Sequence, residues 1–400
     1  MTNLKYHRRQ NKHILFSLLI FILFAFPLHL FSSTQVSLLT TMPCDKAVYT
    51  LWGHSALRVK TDTTDDVYNY GVFSFGDGFV CRFVRGETDY WVQRESMNMV
   101  FREVVFYKKT YMTEQVLNVT EDEACAIHEA LKTNALDENK YYRYNFFYDN
   151  CATRPRNLVE KVLGDLAYPV VNSEATYRDK VHEHTQGEPW LEFGIDLCLG
   201  SETDKVIKDY DLTFLPKELM LAYGNANRVL GDSIFPLVRE TKVLGELSSI
   251  RTKKLSLTSY PLFVFSVFAL IVLLFTLWQI KRRNRNVLLD CVLFIVYGLV
   301  GMLLFFLTFF STHPCVNPNF NLLLLNPLQL LFPVLCFVKP LKKIFNGYLW
   351  VNLAMCLILL VGFPLIPQEF HLAVIPLSFV MVVRSLFLLI RNGGIKKVKF

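Results

Sequence analysis

Apolar and polar positions fall into two regimes along the chain, mixed up to about residue 257 and nearly continuous apolar stretches beyond it. In the first regime His54, Ala56 and Arg58 alternate with Ser55, Leu57 and Val59, which predicts a strand starting at or just before His54. Val67 to Phe75 reads as the next strand, with the polar run Thr61–Asp66 as the turn between them. Further strands are expected near 79–84, 101–107 and 115–119. Thr120 and Glu123 form a capping box. It opens a helix whose apolar stripe is Ala124, Ile127, His128 and Leu131. Tyr141 to Tyr148 is aromatic and strand-like. Leu158, Val159, Val162 and Leu163 then repeat at helical spacing, with Gly164 as the stop. Pro155 is comfortable only in a first turn, so Cys151 stands at the helix entrance. Residues 165–257 read as irregular segments and short helices. The first regime is therefore expected to be a mixed α+β domain over 34–257.

The second regime predicts a membrane bundle. Five apolar spans cover roughly 260–280, 287–310, 321–338, 348–366 and 371–390, and most approach the ~20 residues that cross a bilayer. The third is short and interrupted by Pro327 and Pro333. At the other end, Lys5, Arg8, Arg9 and Lys12 precede an apolar run from Ile14 to Phe31, which marks 1–33 as a signal peptide or N-terminal membrane anchor. A five-helix domain over 258–391 and a basic cytoplasmic tail over 392–400 complete the expected organisation.

Charge changes this picture by orienting it. The chain carries a formal +7, yet 34–257 holds 26 Lys and Arg against 33 Asp and Glu, while the rest holds 16 against 2. An acidic folded domain is the wrong sign for a nucleic-acid face, and that class is excluded. Lys281, Arg282, Arg283 and Arg285 follow the first span; Lys339, Lys342 and Lys343 follow the third; Arg391, Lys396, Lys397 and Lys399 follow the fifth. The loops 311–320 and 367–370 contain no Lys or Arg. The positive-inside rule puts the basic loops in the cytoplasm and the 34–257 domain outside. A bacterial inner (cytoplasmic) membrane protein with a periplasmic domain fits this. Of the nine cysteines, Cys44, Cys81, Cys125, Cys151 and Cys198 lie in that domain, and an odd number leaves at least one thiol unpaired there.

The chemistry-bearing pair is His54 on a strand and Cys151 at a helix entrance. Helix N-terminal N–H groups and a nearby imidazole both lower a thiol pKa, and the Cys151 N–H is placed to stabilise an oxyanion. A third polar group usually orients the imidazole; Asn69 is the candidate, with Tyr68 and Tyr70 as rivals. Spacing alone is equally compatible with a buried small side chain and a satisfied strand histidine. Arg154 and Arg156, just past the cysteine, suit either a phosphate head group or structural pairing. His182-Glu183-His184 lacks the further ligands a metal site needs, so no metal and no cofactor are expected. Ser311-Thr312-His313 with Asn317, Asn319, Asn321 and Asn326 forms a polar strip at the outer ends of two spans, suited either to lining a substrate groove or to capping.

The stretches GHSALRV (53–59), YNYGVFSF (68–75), FFYDNCATRPR (146–156) and PWLEFGIDLCLG (189–200), with Gly86, Tyr90 and Phe214-Leu215-Pro216, resemble the Lnb N-terminal periplasmic domain family of Bacteroidota. The five spans that follow resemble the matching Lnb-like transmembrane domain, and together the resemblance covers about 40–390. It implies a permuted papain-like (NlpC/P60-type) domain and a lipoprotein N-acyltransferase with His54 and Cys151 catalytic. The donor would be a membrane phospholipid and the acceptor the α-amine of a diacylated lipoprotein. The other readings are a membrane-anchored cysteine peptidase or amidase acting on cell-wall peptides, a phospholipase or thioesterase, and a scaffold without activity.

Overall fold

The computed structural model describes residues 34–230, 233–246 and 254–394. The expected anchor over 1–33 and the tail beyond 394 lie outside the described residues. In chain order the elements are β1 (Gln35–Thr41), β2 (His54–Lys60), β3 (Asp65–Val72), α1 (Phe79–Arg85), β4 (Asp89–Ser96), α2 (Met97–Arg102), β5 (Met112–Leu117), α3 (Glu121–Asn134), β6 (Tyr141–Arg143) and α4 (Thr153–Leu163). They continue with β7 (Leu166–Ala167), α5 (Tyr177–Thr185), α6 (Pro189–Cys198), α7 (Pro216–Asn225), β8 (Asn227–Leu230), β9 (Ser233–Pro236) and β10 (Val238–Leu244).

Seven strands make one antiparallel sheet in the order β10-β5-β1-β2-β3-β4-β6. The alternation read in β2 sorts its two faces. Leu57 and Val59 enter the larger core with Ile127 and Leu131 of α3, Val159 of α4 and Tyr223 of α7. Ala56 enters a smaller core on the other face with Met97 and Val100 of α2. The capping box at Thr120 and Glu123 forms as expected. β7, β8 and β9 build a separate three-stranded sheet.

Several expected elements differ. Residues 79–84 are helical, because Gly78 and Gly86 bracket them in left-handed conformations and the Gly86 N–H closes the last turn. Residues 101–107 continue α2 into a π turn (Glu103–Tyr107), started by Ser96 Oγ accepting the Met99 N–H. Short apolar runs do not separate strand from helix by pattern alone. The strand expected at 115–119 begins earlier and is β5. The aromatic run 141–148 is a strand only in β6; beyond it, Asn145 Oδ1 accepts the Phe147 and Tyr148 N–H groups and turns the chain. β10, inside the stretch read as irregular, joins the main sheet beside β5.

The membrane portion has five segments long and apolar enough to span: α8 (Pro261–Arg282), α9 (Leu288–Phe309), the segment Phe320–Phe337, α11 (Lys342–Gly362) and α12 (Val374–Arg391). The third is broken into two 3-10 turns and the short α10 (Phe332–Phe337), with Pro327 and Pro333 in first-turn positions. Inside the bundle Arg384, fully buried, donates to both oxygens of buried Asp290 and to Thr276 and Gln279.

The polar strip joins the two parts. Asn319 and Asn321 donate to the carbonyls of Asp196, Leu197 and Cys198 at the end of α6. Gln368 Nε2 donates to Leu199 O, and the Glu369 N–H donates to Asp204. Thr312 and His313 bond to the last carbonyls of α1. Most of these carbonyls lie in or just past the last turn of a helix, where donors from the helix itself run out, and the strip supplies them.

Candidate active site

The loop before α4 is held by one side chain. Buried Asn150 accepts the Ala152 and Thr153 N–H groups at Oδ1 (2.7 and 3.0 Å), and its Nδ2 donates to Phe146 O and Phe214 O. Asn150 thus does the work of a helix cap and ties the loop to the segment before α7. Arg154 clamps the other side, bidentate to Asp149 with its guanidinium 3.6 Å over the Tyr142 ring. Cys151 is fixed between them.

Cys151, a residue only 8% exposed, lies where the Ser55 main-chain N–H favours its thiolate. Ser55 directly follows His54, so the fold brings the thiol to the very start of β2. The β2–β3 ladder runs only as far as Ala56 opposite Asn69, and β3 bulges before Val72. That opening leaves room for the sulfur. Gly71 sits in the bulge with φ +88°; a Cβ there would stand 3.6 Å from Cys151 Cβ and 3.3 Å from the Tyr144 ring. On the His54 side, the Asn69 side chain acts on the imidazole to favour its protonated form, while its Nδ2 donates to Glu95 at 2.5 Å. Glu95 therefore fixes which way the Asn69 amide points and leaves its oxygen for the ring N–H. Among the described contacts none joins sulfur and imidazole directly. Such bonds are often long in the absence of substrate.

Electrostatics here run against the expectation of a lowered thiol pKa. Burial pushes the Cys151 thiol up to about 11, with the Ser55 and Cys151 N–H groups only partly offsetting it. Burial, aided by the Lys108 charge, pulls His54 down to about 4, against the opposing effect of Asn69. Both groups rest neutral. Sequence reading also missed Tyr142: its hydroxyl is buried without a partner, 3.8 Å from where a Gly71 Cβ would lie. An aromatic run offered no signal that one of its hydroxyls faces the cysteine.

The remaining site residues are committed elsewhere. Arg156 is buried against Tyr210, which it stacks over at 4.0 Å, and donates to Tyr210 O, Thr213 and Asn157. Arg156 is thereby held by structural bonds, and Arg154 is paired with Asp149. Tyr68 and Tyr70 point into the core, away from His54. His182 bonds to Asp196 and His184 to Lys180 O, and no group able to hold a metal occurs among the described residues. All nine cysteines are free thiols.

An α+β domain bonded onto the outer ends of a five-span bundle defines a multi-pass membrane protein with a periplasmic domain. Residues 29–187 match the family description "Lnb N-terminal periplasmic domain" and residues 252–393 match "Lnb transmembrane domain". The chain belongs to the Lnb family, whose domain pair is that of a Lnb-type lipoprotein N-acyltransferase. No curated protein sequence and no solved structure matches it.

Proposed function

We propose that this protein transfers a fatty acyl chain from a membrane phospholipid, through a thioester on Cys151, to the α-amine of a diacylglyceryl-cysteine lipoprotein. His54 takes the thiol proton as the sulfur attacks the ester carbonyl. The resulting oxyanion is held by the Cys151 N–H and the unpartnered Tyr142 hydroxyl. Collapse expels the glycerol oxygen, which takes the proton from His54 and leaves as lysophospholipid. The acceptor amine then attacks the thioester, His54 accepts the amine proton, and the thiol is restored by its return. Asn69 and Glu95 position the imidazole. The order of histidine on a strand followed by cysteine at a helix entrance suits a permuted papain-like arrangement.

One observation carries this reading: Cys151 packs against Gly71 in the β3 bulge, where the Ser55 N–H favours its thiolate, in a domain bonded to the bundle's outer loops. Two neutral partners in a buried site suit an attack in which base and nucleophile share one proton, with water kept from the thioester. The test is reconstitution of the full chain with phospholipid and a diacylated lipopeptide. Mass spectrometry should show the peptide gaining one acyl chain, and Cys151→Ala should abolish the gain. Free fatty acid with no acylated peptide would replace this reading with a hydrolase.

A further inference from the structure

The surface between the bundle and the site carries an apolar feature the reaction above does not explain. Helix α1 is short, contributes nothing to either sheet core, and exposes Val80 (71%) and Phe83 (47%), with Phe75 (74%) just before it. In water such a cluster is costly. Its position is fixed, because Thr312 and His313, at the periplasmic end of α9, bond to the carbonyls of Phe83, Arg85 and Gly86. The approach is so close that a Cβ at Gly86 would stand 2.7 Å from the His313 nitrogen. Exposed Phe309 and Phe310 end α9 at the same level. The exposed face of α1 therefore continues the lipid-facing surface of the span, and exposed Arg82 and Arg85 bring positive charge to the height of phospholipid phosphates.

From α1 an unbroken aromatic ladder leads inward. Phe83 stacks on Phe79, and Phe79 on Phe73, each at 5.8 Å between centroids. Phe73 meets Tyr90 at 5.0 Å and Tyr90 stacks on Tyr144 at 4.3 Å. The Tyr144 ring and Cys151 Cβ flank the same space above Gly71. We propose that α1 lies in the outer leaflet, that Arg82 and Arg85 first meet the phosphate of a membrane glycerophospholipid there, and that this ladder then receives one of its acyl chains and leads the ester on to Cys151. The assignment deepens the acyltransferase reading and rests on it for the direction of travel, but the lipid site is testable without catalysis.

The experiment uses the full-length Cys151→Ala protein in nanodiscs containing a phosphatidylethanolamine with a mid-chain diazirine. After photolysis, adducts are mapped by peptide mass spectrometry. The expected result is labelling within 71–90 as well as in the spans, and a fall of at least about tenfold at 71–90 in Phe79→Asp with span labelling unchanged. The spans serve as the internal control for folding. Labelling confined to the spans, or labelling of 71–90 indifferent to Phe79→Asp, overturns the inference whatever the enzyme does. Labelling at 71–90 alongside a wild-type Cys151 that never carries an acyl adduct would instead overturn the catalytic reading and leave the lipid site standing.

Discussion

At the residue scale the site turns on how far burial outweighs activation. A histidine base must be neutral to accept a proton, and His54 is held down to about 4, first by desolvation and then by Lys108. Its protonation on acidification is therefore delayed. The acidic limb of the pH–rate profile for Cys151 acylation should fall near pH 4, well below the ordinary histidine value of about 6.5. Asn69→Ala removes a side chain that raises the His54 pKa, so the limb should move further down while the rate drops; a residue needed only for folding would leave the limb in place. Gly71 supplies a second residue-level test. Its φ of +88° and the 3.3 Å clearance to Tyr144 leave no place for a side chain. Gly71→Val should slow acylation of Cys151 by about tenfold or more, followed as the adduct by mass spectrometry. His54 and Cys151 were both readable, one from strand alternation and one from Pro155 marking a helix start. Tyr142 and Glu95 were not, because nothing in the sequence says which aromatic hydroxyl ends without a partner or which carboxylate meets Asn69 across β3 and β4.

At the element scale, local signals succeeded where the side chains that decide an element are neighbours in sequence. The capping box at Thr120 and the Gly164 stop are of this kind, and both bound the helices expected. They failed where the deciding partner is far away or where pattern is ambiguous. The run from Phe79 to Val84 reads as strand until the two left-handed glycines around it are weighed, and β10 gains its place only by pairing with β5 more than a hundred residues earlier. The loop carrying Cys151 combines both cases, since Asn150 caps locally and also bonds Phe214 O. Asn150→Ala would strand two helix N–H groups and two carbonyls in a buried place. A loss of roughly 1–3 kcal/mol is expected, seen as a lower melting temperature of the detergent-solubilised protein, with acylation of Cys151 falling more steeply than stability because the loop no longer fixes the sulfur.

At the scale of the whole molecule, the five spans and their orientation were legible because bilayer length and basic loops are sequence properties; their mutual packing was not. The bundle's one fully buried ion pair among the described residues, Arg384 with Asp290, shows why. Two charges on spans nearly a hundred residues apart sit in an apolar interior, with Thr276 and Gln279 taking the Nη1 donors of the guanidinium. Such a pair ties α8, α9 and α12 together, but the desolvation of both ions offsets much of their attraction. The two outcomes separate cleanly by mutation. Arg384→Leu leaves a buried carboxylate without its counter-charge and should cost about 3–5 kcal/mol, read as lost folded yield in fluorescence-detected size exclusion. Arg384→Leu combined with Asp290→Leu removes both charges, replaces them with packing atoms, and should recover most of that yield. If the double variant were as poor as the single one, the pair would be supplying more than charge compensation. The Thr276 and Gln279 bonds to the guanidinium would then be the contacts that hold α8 against α12, and with it the bundle beneath the catalytic domain.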